Sequence, residues 1–310
     1  MKIFDPKNVS FGRHETFPLR FGWPTKGYRY WCESDEDIFS DESATVRLGV
    51  GKNMVMAIRY WLIASQLVDN SSDNGIIPSE LGKKLLSSKE GWDQFLEDDT
   101  TIWLLHWLIC SNPSQATTFF WFFNRYHKPE FTSAEASEAL ADFVKENLYS
   151  KTALTTLKHD IAVLLRMYAP LEIDRKTPLE ETLDSPMTTL GLLQKTSDGR
   201  QFVSKLTDRR SLPLGAFGYA VLECMEARQL SYISLESLLH SDGGYSSPGS
   251  VFKLSEDGLI TKLEELVCRV PSYFEFRETA GIRQFYMLQE LDKISFLNAY
   301  YNMYADESAG

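Results

Sequence analysis

The chain has 310 residues, of which 43% are hydrophobic, and its formal net charge is −11 at pH 7. This length allows a large core in one domain or in two to three smaller ones, and the acidity argues against a surface uniformly suited to nucleic acid. The longest apolar run, residues 102–110, is too short to cross a bilayer, and four cysteines without a CxxC pair form neither a zinc motif nor a disulfide framework, so we expect a cytoplasmic protein.

The first thirty residues are unusually basic. They contain six basic side chains and two acidic ones, whereas residues 33–42 contain six acids and no base. Aromatic residues alternate with these charges in FGRHETFPLRFGWPTKGYRYW, residues 11–31, where proline and glycine disfavour a continuous helix. A local patch of this kind is sufficient to contact phosphate groups, even in a protein that is acidic overall.

The following hundred residues predict a helical region. Apolar residues recur at helical spacing in GKNMVMAIRYWLIASQLV, and Pro78 followed by Ser79 is a typical helix start. Three acids, residues 97–99, precede an apolar helix and suit its positive end, with cation binding as their alternative role. We therefore assign residues 1–130 to a basic, aromatic segment followed by helices.

Residues 131–212 predict a winged-helix-like unit. Thr132 and Glu135 have the spacing of a capping box before one helix, and a second helix ends at Pro170. The dipeptide Asp-Gly at residues 198–199 then separates two strand-like runs, which is a strong signal for a hairpin. The order of helix, turn, helix and hairpin is typical of a winged helix.

The same order recurs in residues 213–310, with helices over 214–228 and 234–240, a helix from Ser255, and a hairpin that turns near Gly281. The predicted fold class is therefore mainly α with small β-hairpins (α+β). It consists of a helical N-terminal region followed by two winged-helix-like units.

Four side chains of the N-terminal segment are candidates for catalysis: Arg13, His14, Glu15 and Lys26. Histidine transfers protons near neutral pH, and arginine and lysine stabilise the charge of a phosphate. The glutamate would orient the histidine or bind a divalent metal ion, Mg²⁺ or Mn²⁺. The alternative is a loop that only anchors the N-terminus on the core. Its anchors would be Phe11, Phe17, Phe21 and Trp23.

Further basic side chains are candidates for contact with DNA. They are Arg20, Lys52, Lys158, Lys195, Arg200, Arg209 and Arg210. Residues 190–210 have a net charge of +3, whereas the helix SEDGLITKLEELV of the second unit is acidic. We therefore expect the first unit to contact DNA, chiefly at phosphates, with a solvated basic edge as the alternative.

Two motifs with a known chemistry are incomplete. The stretch LGVGKNMV lacks the first glycine and the Ser or Thr of a phosphate loop, and indicates a turn into a helix whose N-terminus suits a single phosphate. Asp160, Asp174 and Lys176 have the D…DxK spacing of one class of metal-dependent nucleases, but Asp160 falls within a predicted helix.

Six stretches together resemble one bacterial family that is catalogued as a domain of unknown function. They are FGRHETFPLRFGWPTKGY, LGVGKNMV, GWDQFLEDDTTIWLLHWLI, LDSPMTTLGLL, SPGSVFKL and ETAGIRQFY. Members of this family accompany DNA phosphorothioation systems, and the chain is similar to the DNA-nicking component of the single-stranded type. The resemblance implies a role in antiphage defence, with a cysteine desulfurase, an ATPase and an ATP-pyrophosphatase-like sulfurtransferase as partners. It assigns no catalytic residues.

Two hypotheses follow. The chain is a nicking endonuclease, or it is a non-catalytic DNA-binding adaptor that recruits the sulfur-transfer machinery; a homodimer is compatible with either. The incomplete nuclease motif favours the adaptor, while the Arg-His-Glu cluster and the resemblance favour the nickase. Cys32 is disfavoured as a sulfur carrier, because Glu33 and the acids after it raise the pKa of its thiol.

Overall fold

The N-terminal part of the chain is helical, with one short hairpin. In the computed structural model, which describes residues 1–33, 43–71, 75–149, 151–170 and 185–308, its elements are α1 (Gly22–Cys32), α2 (Ser43–Leu48), α3 (Lys52–Ala64), β1 (Val68–Ser71), β2 (Gly75–Pro78), α4 (Glu80–Leu86), α5 (Asp99–Cys110) and α6 (Thr117–Asn124). The apolar periodicity predicted α3. The hairpin β1–β2 was expected only as a turn, because strands of four residues show little alternation.

The buried helices α5 and α6 lie in the centre of the core. Every side chain of α5 from Thr100 to Cys110 is buried, and so is every side chain of α6. Asp98 accepts a hydrogen bond from the backbone amide of Thr100, so one of the three acids caps α5, as the charge pattern predicted. The burial of α5 on all sides shows that the rest of the chain wraps around it.

A first helical unit with a three-stranded sheet follows. Its elements are β3 (Glu130–Phe131), α7 (Ser133–Asn147), α8 (Leu154–Tyr168), a 3₁₀ helix (Pro186–Leu190), β4 (Gln194–Lys195) and β5 (Phe202–Val203). The strands are antiparallel and lie in the order β3-β5-β4. Thr132 and Glu135 form both hydrogen bonds of the predicted capping box at the start of α7.

A second unit with the same strand order completes the chain. Its elements are α9 (Leu214–Arg228), β6 (Tyr232–Ser234), α10 (Leu235–Leu239), α11 (Pro248–Val251), α12 (Glu256–Arg269), β7 (Phe274–Thr279), β8 (Ile282–Met287) and α13 (Lys293–Ser308). The antiparallel strands lie in the order β6-β8-β7. Ala280 and Gly281 have φ values of 54° and 79°, which suit the tight turn predicted between β7 and β8.

The two units share their strand pairing, since in each the last strand lies between the other two. The predicted α+β fold class, mainly helical with small hairpins, is confirmed. Strands β3 and β6 were not predicted, because two or three residues carry no measurable alternation. The domain boundaries at residues 131 and 213 stay a prediction. No helix in the described ranges has both the length and the hydrophobicity to span a membrane.

A buried carboxylate on α9 connects distant parts of the chain. Trp107 Nε1 donates to Glu223 Oε2 at 2.7 Å, and the Lys293 ammonium and the Met1 ammonium lie 3.1 Å and 2.7 Å from Oε1. Burial opposes ionisation of Glu223, but these two cations and the hydrogen bonds lower its pKa below the ordinary value. Lys293 also contacts Glu226, whose side chain is exposed to solvent.

Replacement of this carboxylate tests its role. We expect Glu223→Gln to reduce the free energy of unfolding by about 3 kcal/mol at pH 7, because it leaves buried cations without their counter-charge. The control Glu226→Gln removes an exposed charge from the same lysine and should have little effect. Urea unfolding of wild type and of both variants measures these free energies.

The same pair of variants has an expected pH dependence. Because the pKa of Glu223 is lowered in the folded state, its stabilisation is complete above the ordinary glutamate pKa and is lost as the pH falls through the folded value. The difference between wild type and Glu223→Gln should therefore shrink below about pH 4.5. A difference that is constant down to pH 3 would contradict this assignment.

Candidate functional site

The predicted catalytic histidine lies inside the protein. The His14 side chain is 1% exposed, its Nε2 lies 3.0 Å from Asp160 Oδ1, and its Nδ1 accepts a hydrogen bond from the Thr16 amide at 3.1 Å. Because a backbone amide only donates, these contacts assign the imidazole proton to Nε2, which donates to the carboxylate. Both ring nitrogens are therefore occupied by contacts within the chain.

Asp160 of α8 is a buried hydrogen-bond acceptor. Besides His14, its carboxylate accepts from the Gly12 amide at 2.9 Å and from the Thr118 hydroxyl at 2.8 Å. Three donors compensate the burial of this charge. The other two residues of the D…DxK spacing, Asp174 and Lys176, lie outside the described residues.

The turn over residues 12–16 has a constrained backbone. Gly12, Glu15 and Thr16 have φ values of 71°, 50° and 66°, in the left-handed region that non-glycine residues rarely adopt. A Cβ atom on Gly12 would lie 2.8 Å from the Thr156 Cγ2 atom of α8, so the turn sits directly on this helix. Unusual backbone conformations persist where the surroundings fix them, and here the His14–Asp160 contact does so.

Aromatic side chains enclose the histidine. Trp61 stacks on the His14 ring with centroids 6.2 Å apart, Tyr60 meets its edge at 5.9 Å, and Trp61 Nε1 donates to the Phe17 carbonyl. Anchoring, the alternative role considered for this loop, therefore describes His14 well. Of the expected aromatic anchors, Trp23 is buried, Phe11 and Phe17 pack partly buried against the core, and Phe21 is exposed.

The other three catalytic candidates point to solvent and do not line one common cavity. Arg13 and Glu15 are exposed on the turn, and Arg13 lines a cavity of about 350 Å³ together with Arg59 of α3. Lys26 lines a different cavity, of about 660 Å³, between α1, α2 and the loop before α5. The structure thus places the candidates in three environments: a buried ring, an exposed turn and a cavity on α1.

Sequence reasoning missed several residues of the Lys26 cavity. Arg29, Arg47 and Phe95 line it, and the Arg29 guanidinium lies 5.1 Å from the centroid of the Phe95 ring. The position of Arg29 three residues after Lys26 places both on one face of α1, which was a usable signal. Arg47 and Phe95 come from other segments, so only the fold brings them here.

The side chains predicted to contact DNA differ in their exposure to solvent. Side chains exposed to solvent are Lys52, Lys158, Lys195, Arg200 and Arg210. Arg20 is half-buried above the Trp23 ring. Arg209 differs from all of these, because it donates to the backbone carbonyls of Lys205, Gly191 and Lys253, and burial lowers its pKa to about 10. Arg209 therefore connects loops of the first unit to the second, and its contact with DNA stays a prediction.

The described residues contain no cluster of three metal ligands, and the cysteine that follows the basic segment has a thiol that ionises poorly. Within these ranges no three His, Cys, Asp or Glu side chains converge, so we assign no metal ligand. Burial, with a contribution from Glu33, raises the pKa of Cys32 to about 12. The thiol is therefore protonated at neutral pH, as expected for a residue that does not carry sulfur.

The candidate site thus consists of a buried anchor, His14, and of exposed basic and aromatic side chains. Comparison with known proteins identifies the class of protein. A family model described as "Protein of unknown function (DUF4007)" matches residues 11–301. The chain belongs to this family.

Two solved structures of SspB are similar to the chain. The magnesium ion-bound SspB crystal structure has a TM-score of 0.82 and 28% sequence identity, with 94% of this chain and 88% of that chain covered. A second SspB crystal structure has a TM-score of 0.79 and 27% identity, with 96% and 87% covered. No curated protein matches the chain. The predicted resemblance is confirmed, and the chain is SspB-like.

The buried contact predicts how His14 variants behave. We expect His14→Ala to reduce the free energy of unfolding by about 3 kcal/mol, because Asp160 remains buried without its side-chain partner on the turn. His14→Gln should lose less, since its amide nitrogen can donate to the same oxygen. The control His159→Ala removes an exposed imidazole from the same helix and should change stability by less than about 0.5 kcal/mol. Equal thermal unfolding midpoints for all three would show that the His14 contact stabilises nothing.

Proposed function

We propose that the protein is an SspB-like component of a DNA phosphorothioate modification and antiphage defence system, and that it nicks DNA. The observation that supports this most is the similarity to SspB over 94% of the chain at a TM-score of 0.82. Its partners in this proposal are a cysteine desulfurase, an ATPase and an ATP-pyrophosphatase-like sulfurtransferase. Nicking would supply the strand opening at which sulfur is inserted.

The proposed chemistry is hydrolysis of one phosphodiester bond. A bond forms between a water oxygen and phosphorus, the bond from phosphorus to one ester oxygen breaks, and negative charge grows on the phosphoryl oxygens. Arg13 is exposed on a turn whose backbone is fixed, so it can hold these oxygens without reorganising. Glu15, exposed on the same turn, would accept the proton of the water, and the departing ester oxygen would take up a proton from solvent.

His14 has a positioning role in this proposal. Its ring is buried and hydrogen-bonded at both nitrogens, so it fixes the turn that presents Arg13 and Glu15. Lys26 is assigned to the separate cavity on α1, where it would contact a second phosphate. These assignments replace a single cluster of four catalytic residues by a fixed turn and a separate cationic cavity.

A second observation supports contact with DNA next to the turn. Gly12 lies against Thr156 of α8, the helix that carries Lys158, and the hairpin β4–β5 of the same unit carries Lys195 and Arg200. These exposed cations would bind phosphates and set the position of the strand, with little choice of sequence. The turn therefore packs against α8, which is a helix of the predicted DNA-binding unit.

A magnesium ion is compatible with this function. One of the similar SspB structures is magnesium-bound. Magnesium is commonly held by one or two carboxylates together with water and phosphate oxygens. The part of the chain that the structure describes shows no cluster of three ligands, so we route no step of the reaction through the ion and name no residue for it.

The adaptor remains the second candidate. It is favoured by one specific observation, the occupation of both His14 nitrogens, which removes the most obvious proton carrier from the surface. An adaptor would bind DNA and support phosphorothioation in cells, but it would leave supercoiled plasmid intact with Mg²⁺ or Mn²⁺.

Relaxation of supercoiled plasmid separates these candidates. We expect wild type to nick plasmid, and Arg13→Ala or Glu15→Ala to nick at least about 100-fold more slowly, because each removes a group that acts on the reacting phosphate. The control Glu275→Ala/Arg277→Ala removes one acid and one base from an exposed ion pair of the second hairpin and should nick normally. Intact plasmid with wild-type protein, at both metal ions, would favour the adaptor.

The salt dependence of binding locates the DNA surface. We expect Lys195→Ala/Arg200→Ala to weaken duplex binding equally for unrelated sequences and to lower the slope of log affinity against log salt by about 2, which is the release of two phosphate contacts. Arg277→Ala/Arg283→Ala removes the same charge from the hairpin of the second unit and serves as the matched control. Equal slopes for the two variants would rule out the first hairpin as the binding surface.

A further inference from the structure

One cavity, between α1, α2 and the loop before α5, is lined by cations and aromatic rings. It has a volume of about 660 Å³, within the range of ligand sites. The cations are Lys26, Arg29 and Arg47, and among the described residues that line the cavity none is acidic. Three cations that line one cavity favour an anionic ligand.

One face of α1 forms the wall of this cavity. Gly22, Lys26 and Arg29 follow each other at helical spacing on the outer side, while Trp23 and Tyr28 are buried on the inner side. The inner side is fixed, since a Cβ on Gly27 would collide with Ile58 and Leu62 of α3. The cations therefore project from a helix that is packed firmly on the core.

Aromatic rings stand exposed at the same place. Phe21 and Phe95 are 41% and 59% exposed, although both are large apolar side chains. The Arg29 guanidinium lies 5.1 Å from the centroid of the Phe95 ring and donates a hydrogen bond to the Gln94 side chain at 2.9 Å. These contacts hold the side chains of Arg29 and Phe95 in place. Exposed rings beside cations are the combination by which proteins hold unpaired bases and their phosphates.

We propose that this cavity binds an unpaired nucleotide of single-stranded DNA, with the base against Phe95 or Phe21 and the phosphate on the cations Lys26, Arg29 and Arg47. This inference rests on the proposed function in one respect, that the natural ligand is DNA. It adds the strand state of the substrate: the chain would hold part of the DNA in unpaired form. Binding is tolerant of sequence, because every base presents a face for stacking.

Binding of a labelled oligothymidylate tests the site. Fluorescence anisotropy compares wild type with Phe95→Ala and Phe21→Ala, for which we expect a loss of affinity of about 5-fold to 100-fold, the range for loss of one stacked base. Phe95→Leu keeps an apolar side chain without a ring and should lose a similar amount. The control Tyr232→Ala removes a comparably exposed ring from β6 and should bind as wild type does.

The other arms of the experiment identify the ligand. Arg47→Ala should lower the salt dependence of oligothymidylate binding, while duplex binding through the first hairpin stays unchanged. Free thymidine monophosphate that competes as well as the oligonucleotide would show a mononucleotide site, and tighter binding of oligouridylate would show an RNA site; either result overturns the proposal. So would wild-type affinity in all the Phe95 and Phe21 variants.

These outcomes are distinct from those for the proposed function. Loss of plasmid nicking in Arg13→Ala together with unaltered oligothymidylate binding in Phe95→Ala would retain the nickase and reject the cavity as a nucleotide site. Conversely, an intact plasmid together with Phe95-dependent oligothymidylate binding would retain the site and reject nicking. Absence of any oligothymidylate binding by wild type rejects the nucleotide site directly.

Discussion

The hydrogen bond between His14 and Asp160 determines where the N-terminal basic residues lie. It buries an imidazole and a carboxylate together, and it holds a turn with three positive φ values against α8. Glu15 and Thr16 have positive φ values that non-glycine residues avoid, and this hydrogen bond stabilises them in that conformation. His14 and Asp160 are hydrogen-bonded to each other inside the protein. Their charged neighbours on the turn, Arg13 and Glu15, are exposed to solvent. The candidate site thus depends on a contact that is itself withdrawn from solvent.

Charge in this molecule is separated by the fold as well as by the sequence. Acidic residues outnumber basic ones in the sequence, yet the described residues that line the cavity beside α1 include three cations and no acid. Two of these cations come from one helix and the third from α2, so the cationic cavity forms only when the helices have packed. A phosphate ligand in the cavity would then be attracted by a local positive charge, although the net charge of the protein is negative.

Much of the architecture was predictable because local signals were strong. The capping box at Thr132 and Glu135, the cap of α5 and the turn at Gly281 each combine residue type with spacing, and each is present. The strands β3 and β6 are too short to show a period, and they exist only because a hairpin elsewhere in the chain pairs with them.

The site was predictable only in part, for a different reason. That the N-terminal segment carries the site stays a prediction, but the adjacent residues Arg13, His14 and Glu15 indicated a single exposed cluster, and the structure divides it. A signal for the division was present: Asp160 lies on the apolar stripe of α8 beside Leu157 and Ile161, where an acid requires a buried partner. Which residue supplies that partner, 146 positions earlier, follows from tertiary packing alone.

The carboxylate of Glu223 has a consequence for how the chain matures. It is synthesised within α9 well before Lys293, the lysine that helps to neutralise it. Until α13 has left the ribosome, burial of α9 would place a charge in the core with part of its compensation missing. The core of the second unit is therefore complete only once α13 is available, because α13 supplies this lysine and packs against α9.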